Sequence, residues 1–175
     1  MSPAVIVLTG RKFSGKDTLA KAIFPLGFRR VSFSDQLKHQ CVKMFPWLDF
    51  DYPQGQKDTK MFNNNTLSPR DIWLKMNVIT EIEPNILVRS AEHEVYSGSG
   101  LVVITDLRKP EEYEWVKSKG YPIIKIHDPK RPSDIVEDKL EEFIDQIVPD
   151  YIFVNNKDQD SIDRFIALVE EEFRV

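Results

Sequence analysis

The chain has 175 residues, 41% hydrophobic and 30% charged, with 24 Lys and Arg against 28 Asp and Glu, a formal net charge of −4. Such a chain is expected to fold as a single domain, residues 1–175, around one core, and its acidic balance offers no general basic surface for duplex nucleic acid. The lone Cys41 excludes an internal disulfide or a cysteine metal cluster, His39, His93 and His127 lack metal spacing, and no apolar run approaches the ~20 residues of a membrane span. A cytoplasmic, reducing setting and no membrane partner are the expectations.

Short β-rich runs alternate with amphipathic stretches. "AVIVLT" (4–9) is continuously apolar, as in a strand buried on both faces of a parallel sheet. "DTLAKAIF" carries Leu19, Ala20, Ile23 and Phe24 at helical spacing. "FRRVSF" (28–33) reads as a second strand and 34–45 as a helix capped by Ser34. Residues 46–68, rich in Pro, Asn, Asp and aromatics, read as a long mobile loop.

A helix then starts at Ser68–Pro69, with the serine as cap and the proline in the first helical position, and another covers 84–97. "LVVITD" (101–106) is a third strand, followed by a helix that Gly120 closes. Strands at 121–127 and 150–155 and an amphipathic C-terminal helix complete the pattern. Strand–helix alternation of this kind argues an α/β fold with a five-stranded parallel sheet between two helical layers.

The chemistry concentrates in "GRKFSGKDT" (10–18). Gly, four residues, then Gly-Lys, after a buried strand and before a helix, is the spacing of a loop whose backbone N–H groups wrap phosphate. Gly10 and Gly15 allow close approach, Lys16 reaches the β- and γ-phosphates, and the helix start adds its positive end. The position after the lysine normally carries a Ser or Thr that touches Mg²⁺. Here it is Asp17, with Thr18 one place later. A carboxylate beside phosphates implies a metal role for Asp17, or a proton-accepting one, with a favourable acid in the helix's first turn as the plain alternative.

"GRKFSGKDT" resembles the glycine loop of phage deoxynucleoside monophosphate kinases and of animal-type phosphomevalonate kinases, which share the Asp substitution. "VSFSDQLK", "SPRDIWLKMNVITEIEPNILVR", "VVITDLRKPEEYEWVKSKGYPIIKI" and "DYIFVNNKDQDSIDRF" are similar, in order, to later segments of the phage enzymes. The resemblance implies a P-loop NTPase of the nucleoside-monophosphate-kinase type that uses ATP and Mg²⁺. It places Gly10, Lys12, Ser14, Gly15, Lys16 and Thr18 on the donor phosphates and Asn155 near the donor base. Asp35, Lys38, Arg70, Arg89 and Arg108 fall on the acceptor, a deoxynucleoside monophosphate, while Lys16, Asp17, Arg108 and Arg131 serve the transfer.

Asp106, ending a buried strand, reads as a second Mg²⁺-holding acid or as a turn acid, and 128–140, with Lys130 and Arg131, as a candidate lid or a surface turn. Trp47, Phe50, Tyr52 and Trp73 offer base-stacking surface or core. Three alternatives stay open: an acceptor that is 5-hydroxymethyluracil within DNA, a phosphomevalonate acceptor, and a nucleotide-binding regulator without turnover. Monomer and homodimer are equally compatible with the sequence.

Overall fold

A computed structural model describes residues 4–53, 55–130 and 142–173. It divides into two compact units, one formed by residues 1–32 and 92–175, the other by Phe33–Ala91. Among the described residues no helix is long and apolar enough to cross a membrane.

The first unit is built on a five-stranded, all-parallel sheet in the order β2-β3-β1-β4-β5. Its strands are β1 (Ala4–Thr9), β2 (Phe28–Val31), β3 (Leu101–Leu107), β4 (Ile123–His127) and β5 (Tyr151–Val154). The helices of this unit are α1 (Lys16–Ala22), α6 (Pro110–Ser118) and α7 (Gln159–Phe173).

Parallel pairing buries both faces of the central strands. Ile6 and Leu8 point to one side, with Leu19, Ala20 and Ile23 of α1 and Phe165 and Val169 of α7. Their neighbours Val5 and Val7 alternate to the other side and are buried as well. Chain order fixes the location of the site. From β1 the chain winds outward to β2 and back to β3, then crosses to β4 and β5 on the opposite side. β1 is therefore the topological switch, and ligands bind beyond the carboxyl ends of strands at such a point. The β1–β3 register shifts between Val7 and Thr9, where the Thr9 hydroxyl donates to Leu107 O at 2.8 Å.

The second unit contains α2 (Phe33–Met44), α3 (Pro69–Met76), α4 (Ile79–Ile82) and the start of α5 (Ile86–Ser97). Its own core gathers Leu37, Cys41, Leu48, Ile72 and Leu87, flanked by Phe45, Tyr52, Phe62, Leu67, Trp73, Met76 and Ile79. The expected helix cap at Ser34 is corrected: α2 already begins at Phe33, so Ser34 lies inside its first turn. The stretch expected as one helix from Ser68 is two, parted at Asn77–Val78.

The predicted long loop holds local structure. A turn of 3₁₀ helix covers Gln56–Asp58, and a bridge pairs Phe62 with Leu67 around three asparagines of positive φ, Asn63, Asn64 and Asn65. Asparagine tolerates that left-handed conformation better than other side-chain-bearing residues.

Ser68 caps α3 as its sequence predicts. Its hydroxyl accepts from Asp71 N at 3.2 Å, and the Asp71 carboxylate accepts from Ser68 N at 2.7 Å. Lys60 and the cap hold the Asp71 carboxyl well below the usual carboxylate range. Replacing Ser68 with Ala is expected to destabilise this unit by about 1 kcal/mol, read as a lower urea midpoint at unchanged slope.

Candidate active site

The carboxyl end of β1 runs into residues 10–15, and α1 starts at Lys16. The loop needs glycine at both ends, because a side chain at either would collide with a neighbouring strand or the residue after it. Gly10 has φ +153°, and a Cβ there would lie 2.7 Å from Ile126 O of β4. Gly15 has φ +85°, and a Cβ there would lie 2.4 Å from the Asn155 amide nitrogen. Between them Ser14 N donates to Arg11 O at 3.1 Å, and Phe13 adopts φ +65°, a strained value for an aromatic residue of a kind that clusters at ligand-binding turns.

Asn155 and Asp145 anchor this loop directly, and further pairs tie together the segments around them. Asn155, directly after β5 and buried, donates from Nδ2 to Ser14 O at 2.8 Å, and its Oδ1 accepts from Lys157 N at 3.0 Å. Arg11 pairs with Asp145 at 2.5 Å, and Lys125 of β4 donates to Ile144 O at 3.0 Å. Lys157 pairs with buried Asp128 at 2.6 Å, and this ammonium, above all, lowers the Asp128 pKa. Asn155, expected near the donor base, also braces the loop through its amide. Arg11, Lys125, Asp128, Asp145 and Lys157 were missed, because lone charges in turns carry no spacing signal.

Lys16 is 5% exposed and Ser14 1% exposed. The Ser14 hydroxyl has no hydrogen-bond partner among the described residues. A buried, unanswered hydroxyl in a glycine loop at a helix start fits an incoming anion. Lys12 lies over the Phe13 ring, 5.0 Å from its centroid, and Asp17 and Thr18 are exposed in the first turn of α1.

At the end of β3, Asp106 is buried and accepts from the Ser32 hydroxyl at 2.9 Å. Arg108 is half-buried, and its Nε is buried without a partner among the described residues. Glu112 of α6, also missed from sequence, reaches back to accept from Arg108 N at 2.8 Å and Lys109 N at 3.0 Å. Burial, with the Asp106 charge adding to it, pushes the Glu112 carboxyl up to about 8 against the partial relief of those two N–H groups. Asp17 and Asp106, the two acids expected at a metal, carry hard carboxylate oxygens, and no cluster of three or more His, Cys, Asp or Glu that could hold a metal ion exists among the described residues. That donor set fits Mg²⁺, which takes one or two protein carboxylates and completes its shell with water and phosphate oxygens.

Of the expected acceptor residues, Arg108 lies in the first unit and Asp35, Lys38, Arg70 and Arg89 in the second, where the three cations each sit beside a carboxylate. Asp35 is buried, and Lys38 sits 3.6 Å from Asp35 and 4.0 Å from Asp51, with its ammonium 5.3 Å from the Phe50 ring and 5.0 Å from the Trp73 ring. Arg70 pairs with Asp58 at 2.7 Å and Arg89 with Glu83 at 3.5 Å. Trp73 packs against the local core, and Trp47 stays exposed. Arg131 and residues 131–140 of the candidate lid lie outside the described residues.

A parallel sheet in this order, with a glycine loop leaving its switch strand and a lysine opening the next helix, is the α/β P-loop NTPase fold. Solved structures agree. Shikimate kinase from Bacteroides thetaiotaomicron shares 15% identity over 98% of this chain and 99% of that one at TM-score 0.51. Dephospho-CoA kinase from Campylobacter jejuni shares 13% identity over 98% of each chain, also at TM-score 0.51. No protein-family profile matches the sequence. In sequence the chain is 29% identical over 171 residues to a protein of Acanthamoeba polyphaga mimivirus named "Putative deoxynucleotide monophosphate kinase", covering 87% of this chain and 89% of that one.

Two outcomes follow. Gly15→Ala, forced against the Asn155 amide at positive φ, is expected to lose nucleotide binding by at least about tenfold in isothermal titration, while the fold survives by circular dichroism. Glu112 binds a proton in the folded state up to about pH 8 but only to about 4.5 when unfolded. Between those values the native state holds the extra proton, so its contribution to stability falls as pH rises. Glu112→Gln keeps the acceptor oxygen and removes the charge. Its Tm should therefore gain on the parent by several degrees at pH 8.5, and by little at pH 4.5, in magnesium-free buffer.

Proposed function

We propose that the protein is an ATP-dependent phosphotransferase that phosphorylates deoxynucleoside monophosphates to diphosphates. The observation that carries this reading is the braced glycine loop at the β1 switch point, with Lys16 and the orphaned Ser14 hydroxyl buried in it. The likeness over most of its length to the mimivirus protein supports the choice of acceptor.

Phosphoryl transfer asks the protein for alignment and positive charge more than for covalent chemistry. In this reading the N–H groups of residues 10–16 and the Lys16 ammonium hold the β- and γ-phosphoryl oxygens of ATP, with Lys12, Ser14 and Thr18 beside them. Asp17 and Asp106 would hold Mg²⁺, the Asp106 carboxylate being oriented by Ser32. When bound, Mg²⁺ neutralises charge on the donor phosphates. Arg108 and Arg131 balance the charge that spreads over the transferring group. Asp35, Lys38, Arg70 and Arg89 receive the acceptor.

ADP release from ATP–Mg²⁺ in the presence of a panel of deoxynucleoside monophosphates tests the reading. Lys16→Ala should lower kcat by about 100-fold or more; full activity in that variant refutes the loop assignment. Asp17→Asn should raise the Mg²⁺ concentration for half-maximal rate by about tenfold, and an unchanged requirement removes Asp17 from the metal. Turnover only on oligonucleotides containing 5-hydroxymethyluracil would move the acceptor into DNA, and nucleotide binding without any turnover would mark a regulator.

A further inference from the structure

One peptide unit at the end of β3 is held at both of its polar groups. The Leu107 carbonyl accepts from the Thr9 hydroxyl at 2.8 Å, and the N–H of the same peptide, that of Arg108, donates to Glu112 Oε2 at 2.8 Å. A trans peptide is planar and its C=O and N–H point opposite ways, so two such bonds fix its orientation. Thr9 ends β1, is the register partner of Leu107 and precedes Gly10. Arg108 therefore leaves the sheet on the strand beside the one that delivers the phosphate loop, from a peptide tied to the root of that loop. Its Nε is buried without a partner among the described residues, an N–H that an incoming ligand oxygen would satisfy.

A glutamate in the third helical position that accepts from the N-cap N–H is by itself an ordinary helix cap. The bond from Lys109 N to Glu112 at 3.0 Å is that cap. Two features go beyond it. The bond from Arg108 N reaches a residue outside the helix. Glu112 is also 4% exposed, a degree of burial that glutamate almost never has without a charged partner. The corresponding acid of α3, Asp71, completes its capping box while partly exposed and beside the Lys60 ammonium. Capping alone thus asks for no desolvated carboxyl, which is costly to bury. A rigid hold on the strand end does, because water does not compete for a buried bond.

We propose that Glu112 is a positioning residue for Arg108, its carboxyl fixing the peptide from which the guanidinium leaves the strand end. For its effect on rate the inference rests on the phosphotransferase reading, in which Arg108 balances charge on the transferring group. A misplacement of about 1 Å there costs up to about 100-fold in rate.

Two measurements test it. The first needs no turnover: site-resolved modification of the full chain by phenylglyoxal, read by mass spectrometry with the other arginines as internal reference. Glu112→Ala should speed modification of Arg108 by at least about threefold. Glu112→Gln should leave it unchanged, since both N–H groups donate to one oxygen and the amide supplies its equivalent. Should alanine unfold the chain, Glu112→Asp, one methylene too short to hold both N–H groups, takes its place with the same expectation. The second measurement is a double-mutant cycle on kcat. Glu112→Ala should lower kcat by about 10-fold to 100-fold with KM for ATP within about threefold, and Glu112→Gln should restore it. In an Arg108→Ala background the cost of Glu112→Ala should shrink to about threefold or less. Unchanged Arg108 reactivity in Glu112→Ala overturns the proposal, as do costs that multiply in the double variant. A parent without turnover on any deoxynucleoside monophosphate removes the phosphotransferase reading instead, and the Arg108 reactivity then decides the positioning.

Discussion

Everything else in the first unit depends on how closely the glycine loop is pressed against the ends of β4 and β5. At Gly10 the backbone runs so near the Ile126 carbonyl that a methyl group would collide with it, and at Gly15 the Asn155 amide fills the space a side chain would need. These contacts make the loop a fixed shape rather than a flexible turn. A loop that must donate several N–H groups to one anion gains from being fixed in advance, because the ordering entropy is met during folding and not during binding. The strained φ of Phe13 belongs to the same economy, since a conformation of this kind persists only where its surroundings over-determine it.

A second constraint operates at the end of β3. Two carboxyl groups, Asp106 and Glu112, are buried near one another, an arrangement that favours keeping one of them neutral. Their surroundings separate them. Asp106 accepts from the Ser32 hydroxyl at the strand end, whereas Glu112 turns back onto the first N–H groups of its own helix and takes up a proton readily. A neutral Glu112 spares the strand end a second full buried charge.

The fold was legible because its signals are local and redundant: "AVIVLT" is β1 residue for residue, Ser68–Pro69 starts a helix, and Gly120 ends one with φ +67°. The glycine loop was equally plain, since its spacing is fixed by what a phosphate can touch. The start of α2 was misplaced because Ser34 looks like a cap, whereas Phe33 is among the largest fully buried side chains, a matter of tertiary packing that no local pattern reveals. The bracing residues were hidden for a related reason. Asn155 lies 141 positions from the serine whose carbonyl it binds, and Arg11 lies 134 from Asp145. Spacing rules reach across one element, not across a sheet. The division at Phe33 and Ala91 was equally hidden, because no shift in composition marks it.

The second unit shows a different economy of charge. Lys38, Arg70 and Arg89 do not stand as bare cations; Lys38 sits beside buried Asp35 and exposed Asp51, Arg70 beside Asp58 and Arg89 beside Glu83. Exposed pairs of this kind contribute about 0–1 kcal/mol, so displacing such a carboxylate by the phosphate of the proposed acceptor would cost little. Meanwhile the carboxylates hold long side chains in one region and keep the unit from presenting an indiscriminate basic surface, in line with a net charge of −4. Lys38 carries the strongest version of this, because two aromatic rings flank its ammonium and restrict where it can swing. For a proposed acceptor that carries both a phosphate and a planar base, a cation tethered between rings is a more selective receiver than a free lysine would be.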